Sequence, residues 1–182
     1  LLDINKKMFY TFNIKRKWTI KRKGNNMQNE TIAIHAGYNK KEGNGSMAVP
    51  ITQTTAYAFR DSEHAANLFA LKELGPIYTR LTNPTTDILE QRFAALEGGA
   101  AAICTSSGQA ASFFAIANVA EAGDNIIISD KLYGGSVTLF TYTMKRFGIT
   151  AKVFKSDDAS DLESLIDDKT KAIFFESLSN PQ

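Results

Sequence analysis

Cysteine is nearly absent from this sequence, which has one, at position 104. A single cysteine excludes an internal disulfide and is typical of a reducing compartment, so we predict a cytoplasmic protein. No run of about 18 apolar residues occurs, so the sequence predicts no transmembrane helix. Histidine is also scarce, with two distant residues, His35 and His64. Neither they nor the cysteine have the spacing of a metal site, so we predict none.

Charge is divided unevenly along the chain. The formal net charge is +2, but residues 1–26 hold eight Lys or Arg and one acidic residue. This segment begins with Leu, and Met27 follows it directly. The codons of Lys23 and Gly24 can form the purine run that bacterial ribosomes bind, so we interpret residues 1–26 as a translated, non-native leader. A basic tail can also attract nucleic acid or a membrane surface. No nucleic-acid-recognition motif accompanies it, and we predict neither partner.

Residues 27–75 are predicted to form an N-terminal arm that ends in a first helix. Asp61 or Ser62 can cap this helix. Its predicted apolar stripe consists of Leu68, Leu71 and Leu74.

Residues 76–182 are predicted to begin a larger domain. Asn83 can cap a helix there, because Pro84 suits the first helical position. Three apolar residues recur on one face of that helix: Leu89, Phe93 and Leu96.

From residue 99 the chain alternates between short apolar runs and helical patterns. Strands are predicted at AAAICTS, NIIIS, TAKVF and KAIFFE, and long helices at GQAASFFAIANVAE and GGSVTLFTYTMKRF. The first of these helices is apolar on nearly all sides, so we predict that Phe113 and Phe114 are core residues, as is Cys104 at the end of the first strand. The order is typical of an α/β protein with a mostly parallel sheet and helices on both faces.

A phenol and a guanidinium stand two residues apart in the segment YTR, as Tyr78 and Arg80. On an extended chain, alternation would point both side chains the same way. This arrangement suggests that they hold an anion.

Ligands of parallel sheets bind beyond the carboxyl ends of the strands, so the residues that follow each strand are candidates. Ser107, Gly108 and Gln109 follow the first strand and begin a helix, whose N–H groups and positive dipole end suit a phosphate. Capping alone would also explain these residues.

Three more candidates follow the later strands. The flat ring of Tyr133 could cover a flat ligand by stacking, or it could pack over the turn. Glu176 and Asn180 would stand at the same edge, where a polar turn is the alternative. Together with Tyr78 and Arg80, these residues fit a ligand that has a phosphate and an aromatic ring.

Four segments, YTRLTNPT, SSGQAA, YGGS and ESLSNP, resemble the ordered motifs of the Cys/Met metabolism family of pyridoxal 5'-phosphate (PLP) enzymes. The resemblance runs from about residue 30 to the end of the chain. ETIAIHAGY, PITQTTAYAF and the long helix before YTR are most similar to the O-acetylhomoserine sulfhydrylase branch. The resemblance implies the aspartate-aminotransferase-like fold, called fold type I, usually as a homotetramer built from dimers.

The resemblance implies a role for each candidate residue. Ser107, Gly108 and Gln109 would bind the PLP phosphate, the latter two through backbone N–H groups. Tyr78 and Arg80 would bind that phosphate from the neighbouring subunit.

The remaining candidates would act on the cofactor ring. Tyr133 would stack on the pyridine ring, and Asn180 would contact the ring hydroxyl or the substrate carboxylate. Glu176 is a motif residue that we place in the cofactor-binding set. Tyr133 and Tyr78 are the predicted catalytic residues. Tyr78 could assist proton transfer in addition to binding the phosphate.

The branch implies γ-replacement on O-acetyl-L-homoserine by sulfide or methanethiol, a reaction of methionine biosynthesis. The family's Schiff-base lysine lies downstream of ESLSNP, and no lysine of this chain matches it. We therefore interpret the chain as the N-terminal portion of a longer enzyme, inactive alone. A cystathionine synthase or γ-lyase of the same family stays open. So does a non-catalytic remnant that at most docks onto full-length subunits.

Overall fold

The computed structural model describes residues 28–41, 43–155 and 159–178, so the interpretation of residues 1–26 lies outside the described residues. The chain divides into two compact units, Leu1–Ala102 and Ile103–Gln182. The predicted domain boundary after residue 75 concerns a longer enzyme and stays a prediction. Within the described ranges, no helix has the length and apolar character needed to cross a membrane. The same residues contain no cluster of three or more His, Cys, Asp or Glu that could hold a metal ion.

The described residues of the first unit form three helices: α1 (Asn29–His35), α2 (Ser62–Phe69) and α3 (Pro84–Glu97). The predicted start of α3 is confirmed, because the Asn83 side chain accepts a hydrogen bond from the Thr85 N–H. The helix closes at Gly98, whose φ of 67° lies in the left-handed region that favours glycine.

The predicted apolar face of α3 is wrong, because Leu89 and Phe93 are exposed. The helix instead packs against the end of α1, where Arg92 Nε donates to Ala36 O at 3.0 Å. A side chain at Gly37 would lie 2.8 Å from the carbonyl oxygen of Ile88. The close approach of two backbones, rather than an apolar stripe, therefore decides which face of α3 is used.

Helix α2 ends earlier than its apolar stripe predicts. Leu71 has a φ of 55°, and the Lys72 N–H donates to Asn67 O at 2.9 Å, which turns the chain out of the helix. Leu68 is buried, but Leu71 and Leu74 are 79% and 90% exposed. The predicted stripe is therefore wrong beyond its first residue.

Where the structure describes it, the second unit is a parallel three-stranded sheet with helices, which confirms the predicted α/β class. It runs α4 (Gly108–Ala117), β1 (Asn125–Ser129), α5 (Gly134–Thr138), β2 (Thr150–Phe154), α6 (Leu162–Leu165) and β3 (Thr170–Phe174). The strand order is β2-β1-β3, and both pairings are parallel. Because β1 lies between the other two, its NIIIS run is buried on both faces.

Helix α5 does not stop at Thr138 but continues with altered hydrogen bonding. A π-helical turn covers Leu139–Thr143, and a 3₁₀ turn covers Met144–Phe147. Gly148, with a φ of 80°, ends the whole segment as the sequence predicts. A shorter 3₁₀ turn, Ala159–Asp161, precedes α6.

The core of the second unit lies between the sheet and the helices that pack on it. The Phe140 and Phe174 rings pack with their centroids 4.6 Å apart, which joins the α5 segment to β3. The buried apolar cluster consists of Ile116, Ala120, Ile126, Ile128, Leu132, Phe140, Met144 and Ile149.

Three predictions for residues 100–114 are wrong. Residues 100–106 form no strand, Cys104 is exposed, and Phe114 is exposed. A strand requires a neighbour that takes up its backbone hydrogen bonds, and among the described residues no strand pairs with this segment. Phe113, by contrast, packs against the core cluster as predicted. Helix α4 therefore buries one face and leaves most of the other exposed.

Candidate cofactor site

The start of α4 carries the predicted phosphate-binding residues. Ser107 caps the helix, since its Oγ accepts a hydrogen bond from the Ala110 N–H at 3.1 Å. The N–H groups of Gly108 and Gln109 precede the first intrahelical bond, which runs from Ala111 to Ser107. The helix itself therefore supplies no acceptor for them. Two such N–H groups at the positive end of a helix fit a phosphate.

Packing does not explain the glycine at position 108. A Cβ added to Gly108 would have no neighbouring heavy atom within 4 Å, and Gly108 is not among the residues with positive φ. Neither the described neighbours nor the backbone conformation requires glycine here. The close approach of a ligand is a physical reason that remains.

The Tyr133 ring lies at the start of α5 and is 50% exposed. It rests against Gly135, where an added Cβ would overlap ring carbon Cε1 and lie 3.1 Å from Cδ1. An added Cβ at the neighbouring Gly134 would meet no heavy atom within 4 Å. The ring is therefore held on one glycine while part of it stays open to a flat ligand.

The Glu176 carboxylate is directed to the same helix start. Its Oε2 accepts a hydrogen bond from the Tyr133 N–H at 3.2 Å, and its Oε1 accepts one from Ser136 Oγ at 3.5 Å. Ser136 Oγ in turn accepts a hydrogen bond from Gln109 Nε2 at 3.2 Å. A chain of side chains thus links the end of β3, the start of α5 and the start of α4.

The Tyr78 and Arg80 side chains meet within the first unit. The Arg80 guanidinium carbon lies 5.1 Å from the centre of the Tyr78 ring, a cation–π distance. The chain is not extended here, because the N–H groups of Leu81 and Thr82 both donate to Tyr78 O. The prediction from strand alternation is therefore wrong, since a turn brings the two side chains together.

Asn83 fixes the segment that carries this pair. It is only 5% exposed, and its Nδ2 donates to Thr52 O at 3.0 Å and to Thr79 Oγ1 at 3.1 Å. Its Oδ1 accepts from the Thr85 N–H at 2.9 Å. The sequence predicts only the last of these bonds. Asn83 thus ties the Tyr78 segment to residue 52 as well as capping α3.

The structure brings some of the predicted site residues together and does not describe one of them. Gln109, Tyr133 and Glu176 belong to one hydrogen-bonded group, whereas Asn180 lies outside the described residues. Sequence reasoning missed Ser136 and Gly135. The signal for both was present, since YGGS places two small residues and a hydroxyl directly after the candidate ring.

The chemistry of these residues fits PLP. The α4 start offers N–H donors for a phosphate, and the partly exposed Tyr133 ring offers a surface for a pyridine ring. In the other unit, Arg80 offers a permanent cation next to a phenol. The cofactor's phosphate and its ring therefore each have a suitable partner in the chain.

Comparison with known proteins supports the same assignment. Residues 30–182 match the family model described as Cys/Met metabolism PLP-dependent enzyme. Sulfhydrylase FUB7 of Fusarium oxysporum f. sp. lycopersici is 54% identical over 152 residues, which is 84% of this chain and 35% of that protein. The O-acetyl-L-homoserine sulfhydrylase of Leptospira meyeri is 48% identical over 157 residues, covering 86% and 36%.

A solved structure shares both the fold and the sequence. The O-acetylhomoserine (thiol)-lyase of Campylobacter jejuni, crystallised with N'-pyridoxyl-lysine-5'-monophosphate, is 54% identical with a TM-score of 0.80. The match covers 86% of this chain and 39% of that one. The chain thus spans little more than a third of the length of these relatives. The predicted family resemblance, its PLP dependence and the fold are confirmed.

Proposed function

Because the chain belongs to the Cys/Met metabolism family of PLP-dependent enzymes, we propose that it serves γ-replacement on O-acetyl-L-homoserine. Acetate leaves from Cγ, and sulfide or methanethiol takes its place, which gives homocysteine or methionine. The observation that carries the proposal is the hydrogen-bonded group of Gln109, Ser136 and Glu176. This group joins the start of α4, whose N–H groups would bind the phosphate, to the start of α5, which carries the candidate stacking ring of Tyr133.

The residues of the chain have distinct tasks in this proposal. The N–H groups of Gly108 and Gln109 bind the cofactor phosphate, with Ser107 capping the helix behind them. The Tyr133 ring covers the pyridine ring and keeps water from that side. When bound, PLP supplies an electron sink for the bond cleavage at the amino acid.

Tyr78 and Arg80 act on the same phosphate from a neighbouring subunit in this proposal. The Arg80 cation neutralises the phosphate, and the Tyr78 hydroxyl holds or moves a proton near it. The proposal therefore includes a homo-oligomer, in the predicted form a homotetramer, in the cytoplasm. Asn180 keeps its predicted contact with the ring hydroxyl or the substrate carboxylate.

A chimera tests the proposal on a complete enzyme. Residues 30–182 replace the matching segment of the C. jejuni relative, and the two proteins are 54% identical over their matched region. We expect the chimera to retain PLP through gel filtration and to form homocysteine from O-acetyl-L-homoserine and sulfide. Its kcat/KM should lie within about tenfold of the parent, which is about 1.4 kcal/mol of transition-state stabilisation.

Two controls make the result specific. The parent enzyme sets the rate, and the chimera with Tyr133→Ala reports loss of the stacking ring without loss of the fold. If the chimera instead prefers to form cystathionine or to catalyse γ-elimination, the activity is that of a cystathionine synthase or a γ-lyase of the same family. A folded chimera that loses PLP and has no activity would refute the proposed function.

A further inference from the structure

We infer that Gly135 and Glu176 are positioning residues for Tyr133. Gly135 provides the surface on which the phenol ring rests, and Glu176 holds the backbone from which the ring projects. The inference deepens the proposed function and rests on it, since it concerns the ring that would cover the cofactor. It assigns to Glu176 a contact with the protein where the sequence predicted a contact with the cofactor.

The case for Gly135 comes from a comparison of two adjacent glycines. A methyl group at position 135 would overlap the Tyr133 ring, with Cζ 3.2 Å from the new Cβ. A methyl group at position 134 would meet nothing within 4 Å. Neither residue has a positive φ, so an alanine suits both backbones. Only Gly135 therefore has a steric reason to be glycine, and that reason is the position of the ring.

The clash at Gly135 involves a side chain rather than a backbone. A tyrosine ring can rotate away about its χ angles at small cost. Alanine at position 135 should therefore leave the fold intact while it moves the ring. This separates the position of the ring from the stability of the unit.

The case for Glu176 rests on its two acceptor oxygens. One accepts from the Tyr133 N–H and the other from Ser136 Oγ, so both bonds enter the first turn of α5. Ser136 is only 3% exposed, and it also accepts from Gln109 Nε2. The Glu176 carboxylate thus fixes the position of the α5 start, which carries the Tyr133 ring, relative to the α4 start, which carries the N–H groups for the phosphate.

The test compares Gly135→Ala with Gly134→Ala, which add the same methyl group to the same helix start. Both are made in the chimera, which is labelled with 3-fluorotyrosine. The ¹⁹F signal of Tyr133 is assigned with Tyr133→Phe. The chimera additionally yields the PLP dissociation constant and the visible circular dichroism of the bound cofactor.

We expect Gly135→Ala to shift the Tyr133 signal and to weaken PLP binding about two- to tenfold, the range of an aromatic stacking contact. Gly134→Ala should do neither. Glu176→Ala should speed hydrogen exchange of the Tyr133 amide and reduce the visible circular dichroism of the bound cofactor. Glu176→Gln should largely restore both, because the amide oxygen of glutamine still accepts a hydrogen bond from the Tyr133 N–H.

The outcomes separate the inference from the proposed function. If Gly135→Ala and Gly134→Ala give the same ¹⁹F signal and the same PLP affinity, the inference is overturned and the proposed function stands. If the unsubstituted chimera fails to retain PLP while Gly135→Ala still shifts the ring signal, the proposed function is overturned. An unchanged Tyr133 amide exchange in Glu176→Ala would remove Glu176 from the inference.

Discussion

The Lys152 ammonium lies 2.7 Å from Asp167 Oδ2 and 2.7 Å from Leu165 O, so one side chain on β2 holds the segment that leads into β3. The other oxygen of the same carboxylate accepts from Asn125 Nδ2 of β1 at 2.9 Å. The Lys152 bond, followed by the Asn125 bond, holds the pKa of Asp167 well below its ordinary value of 3.8. A single carboxylate therefore joins β1 and β2 to the segment that leads into β3.

The depressed pKa of Asp167 predicts how stability changes with pH. A carboxyl group of this kind stabilises the fold at pH values above its ordinary pKa of 3.8, and the contribution is lost as acid protonates the folded state. Asp167→Asn should therefore be less stable than the unsubstituted chain at pH 7. The difference should shrink as the pH falls below about 4.

Urea unfolding followed by circular dichroism, at several pH values, measures this difference. Asp168→Asn is the matched control, because Asp168 is the exposed neighbour of Asp167. It should follow the unsubstituted chain at every pH. A gap for Asp167→Asn that stays constant down to pH 2 would show that the Lys152 and Asn125 bonds do not set the pKa.

Gly108→Ala should weaken cofactor binding without weakening the fold. The new methyl group meets no protein atom within 4 Å, so stability should be unchanged or raised by up to about 1 kcal/mol. Loss of a charge-assisted N–H contact with the phosphate costs about 1.5–3 kcal/mol, or roughly ten- to a hundredfold in affinity. PLP titration and thermal melting of the chimera measure the two effects. Equal PLP affinity in Gly108→Ala and Gly134→Ala would place the phosphate elsewhere.

Arg80→Ala should reduce PLP affinity by about ten- to a hundredfold, because it removes a charge-assisted contact worth roughly 1.5–3 kcal/mol. The family resemblance implies that Arg80 acts on the site of the neighbouring subunit, and mixing two chimeras with different substitutions tests this. An Arg80→Ala chimera is assembled with a chimera that lacks the cofactor-bearing lysine in its C. jejuni part.

Each of these two chimeras should be impaired alone, and activity should partly return when they exchange subunits. One site of the mixed dimer then combines an intact lysine with an intact Arg80. If the mixture stays as inactive as its parents after subunit exchange has been demonstrated, Arg80 acts within its own subunit.

The 182-residue chain should show no sulfhydrylase or lyase activity. The family resemblance implies a cofactor-bearing lysine that no lysine of this chain matches, and surface lysines give only loose adducts with PLP. Gel filtration after incubation with PLP should leave no bound absorbance. A stoichiometric absorbance band that survives, together with turnover, would contradict this prediction.

The same chain should bind a dye that reports exposed apolar surface. Ile103 and Leu178 are 83% and 89% exposed, and Phe114 and Phe93 are also exposed. Such surface favours association. We expect dye fluorescence well above that of the chimera, and aggregation as concentration rises. A sharp two-state melt of a soluble monomer would count against it.

The sequence predicted elements whose signals are local. Asn83 and Pro84 place the start of α3, Gly148 places the end of the α5 segment, and NIIIS and TAKVF match β1 and β2 residue for residue. Caps, left-handed glycines and buried strands depend on a few neighbouring residues, so pattern reasoning finds them.

The errors concern features that depend on distant partners. Residues 100–106 have the composition of a strand, but composition does not supply the neighbouring strand that pairing requires. The exposed face of Leu89 and Phe93 depends on which helix packs against α3. The Tyr78–Arg80 contact was predicted from the wrong conformation, because a turn can unite two side chains as well as a strand can.

The central place of β1 also sets an order of events during synthesis. Asn125 pairs with Thr150 on one side and with Thr170 on the other, so both partners leave the ribosome after it. At about 5–20 residues per second, β2 follows β1 by roughly one to five seconds and β3 by roughly two to nine seconds. During that interval the three isoleucines that are fully buried in the folded unit, Ile126, Ile127 and Ile128, remain accessible on the nascent chain. They form an apolar segment of the kind that a ribosome-associated chaperone binds until the two neighbouring strands have been made.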